Sequence, residues 1–511
     1  TDGVHKIIET AIEKNDLDFF YRLYLTRMAE LSLTGQGKEF IDYAKSALDD
    51  SQNSLFMAKG FEAIGNLIDL DFAKCINLLD ELEASTRGNE LKVWVDQISN
   101  LCRAYVSFHD GDFKSSLMHA EVSIASTIKS GTLDPMDKGR LIRLVACIGL
   151  ITSDVKKIEK CADDILRINN PDNLIVLDHA KSAIKSMQLL VHGEYSQAYD
   201  LAKSTIALEE ASGRVGIASP FDCKFVVMRC LYEFSMINEA LSELVSLRKE
   251  AEHNGFKFIA ILCDVGEIRI LSRIPNSQDK VASKINNLRD RISLNPEYES
   301  LTWLVDLSEI FVKNQRKDLG RIEALIERNS ENFYIQRVGK SILNKVKLED
   351  LAATEDLPEN TTFEVISKNL KLAKFEHKGV KKQNEYLKRA LEVGEKAGAR
   401  EIFLRQDNSM LEAIISLSSE RDSLWLESLN RLAIERIKER NLLVEISGEQ
   451  LTTREIEVLK HLVTENSISE IGQILHISTN TMKTHLRNIY RKLGVDGRGS
   501  AAKKAKENLI I

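Results

Sequence analysis

The sequence predicts an all-α protein, a superhelix of stacked helical repeats followed by a small four-helix domain. Three observations predict it. Only six prolines interrupt 511 residues, and the stretches between them place apolar residues three and four apart, which is the helical period. No two-residue alternation is sustained and no strand alternates with helix, which argues against receiver and dinucleotide-binding sheets. A turn followed by a helix also recurs about every 40 residues, and that period in an all-helical chain marks stacked hairpins.

The composition fits a protein with ample core: 43% hydrophobic and 29% charged residues over 511 positions, a length that suggests two to four domains. No apolar run approaches the ~18 residues of a membrane span. The opening Thr1-Asp2-Gly3-Val4-His5 has none of the features of a signal peptide, so a cytoplasmic location is expected. It also lacks an initiator Met, which suggests the C-terminal part of a longer chain. None of the seven cysteines forms a CxxC pair or has His at zinc-ligand spacing. They are expected to be small core residues in a reducing compartment, and no metal or cofactor is expected. The net charge of −7 is unevenly spread. Residues 448–511 hold 10 Lys/Arg and 7 Asp/Glu, a net of +3, which leaves 60 and 70, a net of −10, for the rest.

The repeat is read at Asp71-Phe72, Asp112-Phe113, Asp154-Val155, Glu194-Tyr195 and Met236-Ile237, with the second residues 41, 42, 40 and 42 apart. Three positions on stand Cys75, Ser116, Ile158, Ala198 and Ala240; seven on stand Leu79, Ala120, Ala162, Ala202 and Leu244. That is one stripe on one helix face, repeated five times, with small residues that let neighbours approach. A similar helix follows Gly379-Val380, with Leu387 and Ala390 inward. The units exceed the 34 residues of a strict tetratricopeptide repeat and are tetratricopeptide-like. Such units bury their apolar faces by stacking, and the concave groove of the stack suits a partner. Polar breaks at Ile274–Asp279 and Glu355–Thr362 interrupt the pattern. The last long helix carries Leu426, Leu429, Ala433 and Ile437. The expected organisation is repeats over 1–350, further hairpins over 351–440, a linker over 441–450 and a C-terminal domain over 451–511.

Four helix starts are legible in that domain. Thr452-Thr453-Arg454-Glu455 and Ser467-Ile468-Ser469-Glu470 are capping boxes. Ser478 caps a third helix that stops at Gly494, and Asp496 or Ser500 starts the fourth. About three residues, His476-Ile477-Ser478, separate helices two and three, the tight turn of a helix-turn-helix. At about 100° per residue, Met482, Leu486, Ile489 and Leu493 share one face of helix three. Asn480, Lys483, Thr484, Arg487 and Arg491 lie opposite, and Thr481, His485 and Lys492 share a flank. From Thr479 to Lys492 the helix carries four Lys/Arg and no acid. Long cationic donors on the open face suit base edges in a major groove, and shorter groups on the flank suit phosphates.

Leu451–Glu455, Glu457-Val458-Leu459, Glu470-Ile471, Ile477-Ser478 and the run from Thr481 to Val495 resemble the LuxR-type (GerE/FixJ) helix-turn-helix domain over its whole length. It departs at Glu465-Asn466, where a Gly is common, and at Gly472, where Ala is usual. The resemblance implies a motif over about 468–487. It assigns base reading to Lys483, Thr484 and Arg487, and backbone contact to Ser478, Thr481, His485, Arg491 and Lys492. The last helix often pairs two copies in this family. Its stripe of Ala501, Ala502, Ala505 and Leu509 suits that, and equally suits packing back on the domain's own core. Helical repeats before such a domain look like the large MalT-like regulators, and Leu391–Gly398 through Phe403-Leu404 is similar to their last repeat. Those proteins carry an ATPase module in front, and no GxxxxGK[ST] loop occurs in this chain.

The reading is a DNA-binding transcriptional regulator, not an enzyme. No paired carboxylates, nucleophile elbow or phosphate loop stands out. Expected partners are double-stranded DNA, RNA polymerase, a small-molecule or protein effector in the groove of the repeats, and a second copy of the chain on DNA. The alternative is an interaction scaffold whose C-terminal domain binds protein rather than DNA.

Overall fold

Each of the five repeat positions is the first residue of a helix. The hairpins are Gln52–Ile68 with Phe72–Ser85, Lys92–His109 with Phe113–Ser130, Pro135–Ile151 with Val155–Leu166, Ile175–His192 with Tyr195–Ala211, and Phe221–Glu233 with Ile237–His253. The computed structural model describes Leu31 and residues 35–507, except 47–51, 86–91, 131–134, 153, 169–174, 214–219, 275–276, 295–300, 316–317, 348–358, 376–379, 419–422, 446–450, 452, 465 and 476. Among the described residues the chain is helical with no strand. It continues through Lys257–Leu271, Gln278–Ser293, Trp303–Gln315, Leu319–Arg328, Phe333–Lys347, Thr362–Phe375, Val380–Ala397, Glu401–Leu404, Asn408–Ser418 and Leu424–Glu445 to four C-terminal helices.

The turn inside each hairpin has a shared local cause. Asp71 and Asp112 accept hydrogen bonds from Lys74 and Ser115 N–H, and Asp154 from Lys157 N–H. Each satisfies one orphan donor of the helix it starts. The preceding helix ends with a reversed hydrogen bond five residues back: Asp71 to Asn66, Asp112 to Ser107, Asp154 to Gly149, Glu194 to Leu189 and Met236 to Leu231. This is the Schellman geometry, which needs a left-handed residue at the turn. Gly111 and Gly193 supply it without strain, while Leu70 and Ser235 adopt it at φ 62. The inner stripe is as expected: Cys75, Leu79, Ser116, Ala120, Ile158, Ala162, Ala198, Ala202, Ala240 and Leu244 are all buried. Ser116 is small because its hydroxyl donates to the Ala104 carbonyl of the partner helix at 2.7 Å.

Gly193 also faces a close neighbour. A Cβ there would lie 2.7 Å from the backbone nitrogen of Phe363, at φ +87. Gly193→Ala is therefore expected to destabilise by about 2 kcal/mol or more, from left-handed strain plus a backbone collision. A denaturant titration reads it, and an unchanged midpoint would contradict the turn geometry.

The chain divides into two compact units. One comprises Thr1–Gln188, Ala198–Val227 and Ser246–Ala260; the other comprises Leu189–Gln197, Met228–Val245 and Ile261–Ile511. In the first, the His109 ring stacks between Phe72 and Phe256, with centroids 5.3 Å from each. Burial pushes its pKa down to about 4. The folded value lies below the unfolded one, so this stability is present above about pH 6.5 and is lost as pH falls towards 4. His109→Phe keeps the stack and removes the titration. The stability of the natural protein relative to this variant should fall by about 2 kcal/mol between pH 7 and pH 4.5; a constant difference in urea titrations would refute it. The same unit buries Arg143 against Glu209 and Asp222, with its Nε 2.6 Å from Asp222 Oδ2.

In the second unit, the helix after the acidic loop starts as its chemistry suggested. Glu364 N–H donates to the Thr361 hydroxyl, and Thr361 N–H donates to the Glu364 carboxylate. Leu387, Ala390, Leu426, Leu429 and Ala433 are buried, and Ile437 is half-buried. Arg440 is buried and donates to the carbonyls of Leu404 and Gln406 and to the Asn408 side chain. The helix runs on to Glu445, so residues 441–445 of the expected linker are helical.

Among the described residues no helix is long and apolar enough to cross a membrane. All seven cysteines are free, six buried and Cys147 half-buried.

Candidate nucleic-acid interface

The C-terminal domain builds its own core from four helices, Thr453–Leu462, Ile468–Ile474, Thr479–Leu493 and Arg498–Glu507. Leu451, Val458, Leu459, Leu462, Ile471, Met482, Leu486, Ile489, Leu493, Ala501 and Ala505 form one buried cluster. The second helix begins with a complete capping box between Ser467 and Glu470. Those hydrogen bonds hold the Glu470 carboxyl below its usual pKa. The third begins where the Ser478 hydroxyl accepts Thr481 N–H at 3.2 Å, and ends at Gly494 in the left-handed region. Between them Ile477 N–H reaches back to the Gly472 carbonyl at 2.9 Å and closes the turn. A Cβ on Gly472 would meet the Ile477 oxygen at 3.2 Å, so the glycine eases this turn and the helix forms despite it. The Thr452 cap lies outside the described residues.

At the described side chains the core and open faces of the third helix are as the angles place them, and the flank departs from them at Lys492. Met482, Leu486, Ile489 and Leu493 are buried, and Lys483, Thr484, Arg487 and Arg491 are exposed. Ser478 and Thr481 are exposed at the helix N-terminus, their hydroxyls 2.8 Å apart, and His485 is half-buried beside them. The positive end of the helix dipole adds to what this corner offers a phosphate.

Lys492 corrects the expectation. Its ammonium lies 2.8 Å from Glu455 Oε2, with side chains 10% and 3% exposed. It is an internal ion pair joining the first and third helices, and it presents no charge to a phosphate. Its place on the flank, about 80° from the core centre, let it reach the first helix instead of solvent.

Two of the four residues in the stripe on the last helix pack inward. Ala501 and Ala505 are fully buried in the domain's own core, and Ala502 is half-buried. Leu509 lies outside the described residues. The two central alanines are spent on packing this helix back, so they do not form a face for a second copy.

Sequence reasoning missed two cations with structural tasks. Arg498 Nε donates to the Leu462 carbonyl at 3.0 Å, and Lys504 Nζ donates to the Leu493 carbonyl at 2.6 Å. Each satisfies an orphan carbonyl at a helix C-terminus. Their only sequence signal is position in the helix that must pack across those ends.

A short capped helix, a tight turn and a longer helix with one acid-free cationic face define a DNA-reading helix-turn-helix module. Residues 449–505 match the family described as bacterial regulatory proteins, luxR family, and the C-terminal domain is a LuxR-type helix-turn-helix domain. The chain is 35% identical over 107 residues to a nitrate/nitrite response regulator protein homolog of Haemophilus influenzae, covering 20% of this chain and 49% of that protein. It is 46% identical over 59 residues to the CsgBAC operon transcriptional regulatory protein of Escherichia coli, covering 12% and 27%. It is 41% identical over 63 residues to the transcriptional regulatory protein LiaR of Bacillus subtilis, covering 12% and 30%. The chain thus spans about half or less of the length of these relatives. Among solved structures, a Rap protein complexed with competence and sporulation factor matches with a TM-score of 0.43 and 12% identity, over 74% of this chain and 98% of that one.

Proposed function

We propose that this chain is a cytoplasmic transcriptional regulator. Its C-terminal domain reads a promoter site in the major groove, and its helical body takes an effector that governs that reading. The observation that carries the proposal is the exposed face of Lys483, Thr484, Arg487 and Arg491 on a helix seated by its opposite face. Lys483, Thr484 and Arg487 would meet base edges, and Ser478, Thr481, His485 and Arg491 would meet phosphates. The domain has its own core, so residues 448–511 should melt cooperatively alone and bind DNA weakly. Circular dichroism of that fragment tests the first expectation, and a featureless thermal trace would refute it.

Selection of genomic fragments by the purified full chain tests the function. A shared sequence among the bound fragments is expected. Retention of protein partners with no DNA enrichment at any salt would favour a scaffold. The role of the body follows from comparing site affinity for the full chain and the 448–511 fragment, each with and without cell extract. A regulating body requires an effector that favours one arrangement over the other. Equal affinities, unmoved by extract, would make the body a passive arm.

A further inference from the structure

Within the second unit, cations outnumber the carboxylates that pair them. Helix Phe221–Glu233 carries Arg229, Tyr232 and Glu233 on one side of its last turn. Helix Lys257–Leu271 carries Arg269, and Arg273 follows one turn later. Arg405 caps the short helix Glu401–Leu404. Two tyrosines beside them, Tyr232 and Tyr334, are buried, and Arg269 lies within electrostatic reach of both.

The carboxylate of Glu233 is spoken for. Arg405 donates to both its oxygens at 2.9 and 3.0 Å. Tyr232 has two guanidinium groups over its ring, Arg405 5.2 Å and Arg273 5.5 Å from the ring centre; Arg273 also donates to its hydroxyl at 2.9 Å, and that hydroxyl donates to the buried Glu401 carboxylate at 3.5 Å. Arg273 Nε is buried with no hydrogen-bond partner. Arg269 lies 4.7 Å over the Phe311 ring. Glu233 also feels the charges of Arg229 and Arg273, which with Arg405 hold its carboxyl below its usual pKa despite burial, so one carboxylate is shared among three guanidinium groups and, among the described residues, none is given to Arg269. Burial, then the like charges of Arg229 and Arg273, push the Arg269 pKa down to about 9. A guanidinium normally stays charged far above that, and uncompensated charge in a partly buried site is costly.

We propose that Arg229, Arg269 and Arg273 form a binding site for an oxyanion group, a phosphate or a carboxylate, on a small ligand. Guanidinium groups recognise both through paired N–H donors. The stacking of Arg269 and Arg273 on aromatic rings holds them in place before the ligand arrives. The site names the chemistry of the effector proposed for the body and to that extent rests on that reading. Anion binding is tested apart from it.

The experiment follows the thermal midpoint of the full chain in inorganic phosphate, in a short peptide with a free C-terminal carboxylate, and in chloride at matched ionic strength. The expected result is a rise of about 2 °C or more with phosphate or with the peptide. The probe that acts tells a phosphorylated ligand from a carboxylate one. The gain should vanish in Arg269→Met, and this variant should be no less stable than the natural protein in chloride, because it relieves repulsion. A purely structural Arg269 would instead lower the midpoint in every buffer equally. Arg273→Gln provides a second variant should the first not fold, and it should lose most of the same gain. No response to either probe, or an equal response in natural protein and variants, overturns the site. DNA affinity measured with and without the active probe then separates the two readings: a probe that binds but leaves it unchanged supports the site and removes it from regulation.

Discussion

Lys492→Ala is expected to abolish cooperative melting of the C-terminal domain. The substitution leaves the Glu455 carboxylate, 3% exposed, without the ammonium 2.8 Å away. Removing one partner of a buried ion pair costs about 3–5 kcal/mol. A domain of roughly 60 residues holds on the order of 3–9 kcal/mol in total, so the loss is comparable to everything it has. DNA binding should disappear for all sequences together with the helical circular dichroism of the 448–511 fragment. The double substitution Glu455→Leu with Lys492→Met should recover most of the stability, because no charge is then left buried. A lysine on a phosphate would behave differently: the fold would persist and the salt dependence of binding would fall by about one ion. A folded Lys492→Ala fragment with that salt signature would return the residue to the interface.

Arg487→Ala should leave the fold intact and damage recognition. The residue is exposed on the third helix, opposite Met482 and Ile489, so its loss should change stability by less than about 0.5 kcal/mol. Affinity for the cognate site should fall by about 1–3 kcal/mol, tenfold or more, with relaxed preference at one base position. Arg491→Ala, further along the same face and assigned to the backbone, should weaken all sequences similarly. Binding selections on both variants test the pair of assignments. Indistinguishable base preferences would mean that the two residues do not divide the work in this way.

The repeat was legible because each turn must reverse the chain at the same point of the hairpin. Asp71, Asp112 and Asp154 are caps with a local chemistry, and the apolar residue after each begins a helix. The left-handed residue before them was partly legible, as Gly111 and Gly193. Leu70 and Ser235 hide it, since nothing in their side chains announces a φ of 62. The arginine cluster of the body was not legible at all. Arg229 and Arg269 lie on two helices and Arg273 in the turn after the second, and a charged residue in a helical pattern reads as solvated until its neighbours are known.

The sequence by itself determined the class of the fold, the five helix starts, the four-helix C-terminal domain, and the face that Met482, Leu486, Ile489 and Leu493 bury. All of these rest on local periodicity and on caps that act within a few residues. Tertiary structure alone decided the fate of groups that could turn either way. Lys492 sits at the edge between core and solvent, and only the position of Glu455, 37 residues earlier in the chain, turned it inward. Ala501 and Ala505 are small enough to face a second copy or their own core, and only the packing of the fourth helix over Leu462 and Leu493 chose between them. An ambiguous side chain takes the partner that reaches it first in space, and distance along the sequence carries no record of that.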